Sequence, residues 1–230
     1  MGFRPRRGAL AGIPVAAETI AIGTILQLVR DTGCRVHLTR ISSAAGLAML
    51  QRAKHDGLPV TCDIGVHHLL LTDNDIGYFN PHARFSPPLR TERDRQALST
   101  AAASGLAAIC SDHTPVGADE KLLPFGEAKA GATGLEVLLP LTLKWAEAAG
   151  VALSVALARI TSAPAEVLGL QSGQLAVGTV ADVCVFDPAT VWQLTPEALK
   201  SRGKNSPWTG YLLNGKVKKT LVGGRLVYQA

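Results

Sequence analysis

Aromatic side chains are scarce. Three Trp, three Tyr and five Phe make up 5% of the 230 residues. A reader of single-stranded nucleic acid stacks bases on such rings and gathers basic residues on one face. Here 23 Lys and Arg stand against 18 Asp and Glu, a net charge of +5. Beyond Arg4, Arg6 and Arg7 the basic residues are scattered, so a solvated surface is expected and nucleic-acid binding is not. Charge is also sparse, 18% beside 47% hydrophobic residues, which excludes a disordered chain. The 23 glycines follow no short period, which excludes collagen-like and linker sequences. No apolar run reaches the roughly 18 uninterrupted residues of a membrane-crossing helix. The basic start and the apolar run after it imitate a leader peptide. Pro14 and Glu18 interrupt that run, and no small-residue cleavage site follows. Cys34, Cys62, Cys110 and Cys184 contain no CxxC pair, which disfavours a zinc knuckle. Each lies in an apolar stretch, so buried free thiols in a reduced cytoplasm are expected.

What is present alternates. Residues 15–31 place Ile20, Ile22, Leu26 and Val29 near helical spacing, with Gly33 to stop the helix. Residues 34–38 predict a short strand. Ser42 or Ser43 can cap a second helix running to Gly57. Val60, Cys62 and Ile64 share one face of a strand over 58–64. A helix over 91–105, a buried strand over 106–110 and a helix over 133–150 follow. Residues 151–170 predict two short helices with a turn near Ala163 and Pro164. Such alternation predicts parallel strands with helical crossovers. Polar residues stand just past the strand ends: Thr39 and Arg40, Asp63 with His67 and His68, Asp112 with His113. In a β/α barrel that rim carries the chemistry. After about residue 170 the texture changes to short strands and tight turns, with residues 194–203 (LTPEALKSRG) as a short helix. Two units are expected: a partial barrel over 1–170 and a small β module over 171–230.

Several motifs coincide with one family. Residues 62–76 (CDIGVHHLLLTDNDI), 86–98 (SPPLRTERDRQAL), 109–115 (ICSDHTP) and 122–141 (LLPFGEAKAGATGLEVLLPL) resemble segments of the dihydroorotase branch of the cyclic amidohydrolases. Residues 173–187 (GQLAVGTVADVCVFD) resemble a less specific amidohydrolase pattern. Residues 201–210 (SRGKNSPWTG) resemble a more specific dihydroorotase one. The resemblance runs from about residue 8 to 229. It implies an α/β fold, the C-terminal part of a (β/α)8 TIM-type barrel plus a small β-sandwich module. It also implies de novo pyrimidine synthesis, in which carbamoyl aspartate is reversibly cyclised to dihydroorotate. Zinc in this family lowers the pKa of a bound water, and a carboxylate beside it shuttles the proton.

The family metal site uses an HxH pair, a bridging Lys or Asp, two later histidines and a late Asp. No HxH occurs here. Aligned on Ile41–Ser42, Arg40 occupies the position of the second later histidine, and His37 falls three residues earlier at a non-ligand position. A guanidinium has no lone pair for a metal, so Arg40 is expected either to pair with Asp63 or Asp112 or to hold a carboxylate bidentately. Asp112 matches the late Asp and is the candidate catalytic and vestigial metal residue. Arg40, Ser86 and His113 are the candidate substrate-binding residues. Ser86 replaces the family Asn, and Val116 replaces the second histidine of the DHxPH segment. His67 and His68 match the family. As adjacent strand residues they are expected on opposite faces, each more simply a hydrogen-bonded core histidine. His55 and His82 are expected on the surface or in loops. Arg40, Ser86 and Val116 resemble the pattern of inactive dihydroorotase-like proteins, which partner aspartate transcarbamoylase. The expected role is therefore a catalytically degenerate, truncated scaffold that does not itself bind zinc, oligomeric and cytoplasmic. The alternatives are a partial chain of an active zinc dihydroorotase, or a cyclic amidohydrolase acting on another cyclic amide such as a hydantoin. A full barrel takes about 250 residues, and the segments above supply roughly four of its eight units.

Overall fold

A computed structural model describes residues 12–230; Arg4, Arg6 and Arg7 lie outside them. Helix α1 (Val15–Thr32) buries Ile22, Leu26 and Val29, one face at helical spacing. It ends at Gly33, whose φ of 68° is left-handed. Ile20, expected on that face, is instead exposed. Strand β1 (Val36–Leu38) leads to α2 (Ala44–His55), then β2 (Val60–Gly65), α3 (Glu92–Ser104) and β3 (Ala108–Cys110). The three strands form one parallel sheet in the order β1-β2-β3, with Val36 opposite Val60 and Asp63 opposite Ala108. Three strands, rather than four β/α units, make up this arc among the described residues. Strand alternation puts Val60, Cys62 and Ile64 into the core beneath the helices. His37, Thr61 and Asp63 share the opposite face.

Helix α4 (Leu138–Ala149) completes the core with Leu141 and Trp145, both fully buried. The Trp145 indole N–H donates to Ser99 Oγ at 2.8 Å, which satisfies the ring's polar atom. Helices α5 (Leu153–Ala158) and α6 (Ser162–Leu168) follow. The break between them falls at Arg159–Thr161. Ala163 and Pro164 lie in the first turn of α6, where proline is tolerated.

The C-terminal residues form β4 (Val183–Gln193), β5 (Leu212–Val222) and β6 (Arg225–Gln229) in one antiparallel sheet. Among the described residues no second sheet faces it, so the expected sandwich is here a single layer. The expected helix over 194–203 is also absent; Pro196–Ala198 form a turn instead. The sheet rests on α4 through Leu213 and Gly215. Gly215 has a φ of 94°, and a Cβ there would run into a Leu143 methyl. No helix among the described residues is long and apolar enough to cross a membrane. Of the four cysteines, all free, only Cys62 is fully buried. Cys34 and Cys184 are exposed, which corrects the expectation for those two. Burial pushes the Cys62 thiol up to about 11, which keeps it unreactive.

Candidate functional site

The polar residues at the strand ends converge on Asp63. Its Oδ1 accepts the Arg40 backbone N–H at 2.7 Å and the Thr39 hydroxyl at 3.2 Å. Its Oδ2 lies 2.9 Å from His37 Nε2. The other ring nitrogen of His37 is 2.8 Å from Thr61 Oγ1. This bonding fixes the turn out of β1, where Arg40 has a φ of 60°. Asp112, just past β3, has a φ of 46°. A non-glycine residue in this region costs about 1–3 kcal/mol and persists where its surroundings over-determine it.

The two strained turns aim their side chains at one another. Arg40 Nη1 donates to Asp112 Oδ1 at 3.2 Å and to the Ser86 carbonyl at 3.0 Å. The Asp112 side chain is 4% exposed and that of Arg40 is 40%. Burial pushes the Asp112 carboxyl up, and the guanidinium partly offsets that push. The far side of Asp112 lies against Gly65. A Cβ on Gly65 would stand 3.4 Å from Asp112 Oδ2 and 3.2 Å from His68 Nδ1. That close approach explains a glycine at the end of β2.

The other candidates fall into place around this pair. Ser86 contributes its carbonyl, and its side chain is exposed. His113 Nδ1 accepts the backbone N–H groups of Gly134 and Leu135 at 3.1 and 3.3 Å. Its proton is therefore on Nε2. Val116 is buried, and its N–H donates to Asn205 Oδ1 at 2.9 Å.

His67 and His68 are not on the strand. They lie in the single 3-10 turn Val66–Leu69 that follows Gly65. Strand alternation therefore does not separate them, and both pack against the Phe85 ring, at 5.0 and 5.7 Å. His67 Nδ1 accepts the Trp208 indole N–H at 3.0 Å, and His68 Nε2 donates to the Pro87 carbonyl at 3.1 Å. The second nitrogen of each ring has no hydrogen bond, so each core histidine is half satisfied. Burial pushes their pKa values down, to about 3 for His67 and about 4 for His68. His55 is exposed, as expected, but the His82 Nδ1 atom is buried.

Two architectural residues had a sequence signal but no assigned role. Asn205, in the SRGKNSPWTG segment, donates to the carbonyls of Thr114 and Gly131 and accepts from Val116 N–H and Thr133 Oγ1. Glu18, noted only as a charge in an apolar run, accepts both backbone N–H groups and both hydroxyls of Ser42 and Ser43.

The donor set does not fit zinc. Among the described residues no three His, Cys, Asp or Glu side chains converge. The buried Asp112 carboxylate is turned to a guanidinium, which has no lone pair to share. The arrangement holds a carboxylate by charge and leaves part of the guanidinium open for a second anion.

The amidohydrolase family model matches residues 13–227. The chain is 42% identical over 221 residues to a dihydroorotase-like protein of Pseudomonas aeruginosa, covering 96% of this chain and 52% of that protein. It is 39% identical to a dihydroorotase of a Geobacter species, covering 100% of this chain and 54% of that protein. Among solved structures, L-hydantoinase from Arthrobacter aurescens superposes with a TM-score of 0.88 at 28% identity, over 94% of this chain and 49% of that one. D-hydantoinase from a Thermus species superposes at 0.86 with 23% identity, which speaks to the fold alone. The chain spans about half the length of the curated relatives it matches.

Proposed function

From the premise that the chain belongs to the amidohydrolase family, with its TIM-barrel-type fold and generally metal-dependent chemistry, we propose that it is a dihydroorotase-like protein with a degenerate catalytic rim. Its place is de novo pyrimidine biosynthesis, and its role is that of a scaffold beside aspartate transcarbamoylase in the cytoplasm. The observation that carries this reading is the ion pair between Arg40 and Asp112. In the family reaction the late Asp handles a proton between the attacking oxygen and the ring nitrogen of the cyclic amide. Here the guanidinium occupies one oxygen of the Asp112 carboxylate, at 3.2 Å, and partly offsets the burial that pushes its pKa up. Arg40, the Ser86 carbonyl and the His113 Nε2–H line a rim that can orient an acyclic carboxylate such as carbamoyl aspartate. Among the described residues no His/Cys/Asp/Glu cluster stands ready to hold a metal that would polarise the carbamoyl aspartate carboxyl group for ring closure, or activate a water against the cyclic amide in the reverse direction.

Purified chain is expected to contain far less than one zinc per molecule and to leave carbamoyl aspartate uncyclised. Stoichiometric zinc with turnover overturns the reading. Mixed with aspartate transcarbamoylase, the chain is expected to co-elute on size exclusion; separate elution removes the scaffold role. A second reading, part of an active cyclic amidohydrolase, is favoured by one observation: Asp112 stands at the strand end with an oxygen that Arg40 does not use. On that reading, joining the chain to a dihydroorotase N-terminal half yields zinc-dependent turnover without changing Arg40.

A further inference from the structure

Away from the Arg40–Asp112 pair, three basic side chains meet where the loop after β2 faces the loop after β3. Lys121 is 4% exposed. Its ammonium makes one hydrogen bond, to the Pro81 carbonyl at 2.9 Å, of the three it can donate. No carboxylate among the described residues pairs with it. Its neighbour Glu120 is already engaged by Lys129 Nζ at 3.0 Å and Gly117 N–H at 3.1 Å. His82, next to Pro81, has a buried Nδ1 without a partner. Arg84 uses Nη1 on the carbonyls of Phe125 and Ala128, and its guanidinium carbon lies 5.9 Å from the Phe125 ring centre. Pro81, His82 and Arg84 are partly exposed at the residue level.

A buried ammonium beside further basic groups, with Glu120 near but no carboxylate bonded to it, is costly unless an anion completes it. We propose that Lys121, His82 and Arg84 form a binding site for a small oxyanion, phosphate or carboxylate, held by the free donors of Lys121 Nζ and by His82 Nδ1–H. The site is separate from the Arg40 rim and does not depend on the function proposed above. Burial and the Arg84 charge push the Lys121 pKa down to about 8. Burial and the Lys121 charge push His82 down as well.

Calorimetric titration of the chain with inorganic phosphate, sulfate and acetate, each against chloride at matched ionic strength, tests the proposal. Saturable binding of at least one oxyanion is expected. Preference for phosphate over acetate identifies a phosphoryl ligand, and the reverse a carboxylate. Lys121→Met is expected to weaken binding by about tenfold or more, the loss of a charged hydrogen bond, and His82→Asn to weaken it less. In oxyanion-free buffer Lys121→Met is expected to melt at or above the parent temperature, because it removes a buried unpaired charge. Sulfate does not titrate in this range, so its affinity is expected to fall as pH rises past about 8. Of the neighbouring groups, His82 and Glu120 are both shifted down, away from that range, and Arg84 and Lys129 are the other charged side chains beside it. No saturable binding by the parent chain overturns the proposal, as does unchanged affinity in folded Lys121→Met. Should that variant not fold, unchanged affinity in His82→Asn overturns it instead.

Discussion

Asp63 holds the rim through three donors, and the Arg40 turn is the part most dependent on it. Asp63→Ala leaves the Arg40 N–H and the Thr39 hydroxyl without their acceptor. The expected loss is about 3 kcal/mol, read from a urea melt, and it should exceed that of Asp63→Asn. The two core histidines give a pH dependence. Their folded pKa values lie below the unfolded value of about 6.5, so the unfolded chain binds protons first. Their contribution is present above pH 6.5 and declines as pH falls toward about 4 and about 3. A melting temperature that falls across pH 6.5 to 4 in the parent, and falls less in His68→Gln, is the expected result. At this scale the sequence was legible in part. Arg40 could be recognised as unfit for metal from its chemistry alone. Its choice of Asp112 over Asp63 depended on a left-handed turn that no residue pattern announces. His67 and His68 were misplaced because the strand stops at Gly65, two residues before His67, and the period-2 argument lapses there.

Among the elements, α2 shows how motif residues serve the fold. Its N-terminus is capped by Ser43 Oγ, which accepts the Gly46 N–H at 3.0 Å. The same terminus receives the Glu18 carboxylate from α1, and the Ala44 N–H donates to Asp94 of α3 at 2.9 Å. Two anions at one helix N-terminus fit its partial positive charge. Asp94 also closes a capping box with Thr91 at the start of α3. Glu18→Ala is expected to cost about 2–4 kcal/mol, since four donors lose their acceptor; calorimetric melting checks it. Helices α1 to α4 were readable to within about five residues, with side-chain caps on α2 and α3 and a left-handed glycine after α1, α3 and α4. Residues 194–203 were not. Their helix formers are local preferences, and Pro196 together with the bonds from Ser201 to Glu136 imposes a turn instead.

Taken whole, the molecule has open margins. Among the described residues β1 pairs only with β2, and Val222, Leu226, Val227 and Tyr228 are exposed on the C-terminal sheet. An unpaired strand edge beside apolar surface favours self-association. Light scattering is expected to find the isolated chain oligomeric or aggregating, and a monodisperse monomer would contradict this. The parallel arc was legible from strand and helix alternation. The single-layer C-terminal sheet was not, because whether a sheet is covered depends on contacts distant in sequence. Asn205 carries one such contact, binding Val116 and Thr114 at separations of 89 and 91 residues. Closing so long a loop is slow relative to forming helices. During synthesis the β3 rim stays unlatched until Asn205 has emerged, so the segment around Asp112 gains this latch well after α1 to α3 have formed. Pulsed hydrogen exchange during refolding should find the Val116 amide protected after those of α1 to α3, and in Asn205→Ala that amide, its acceptor gone, should exchange faster.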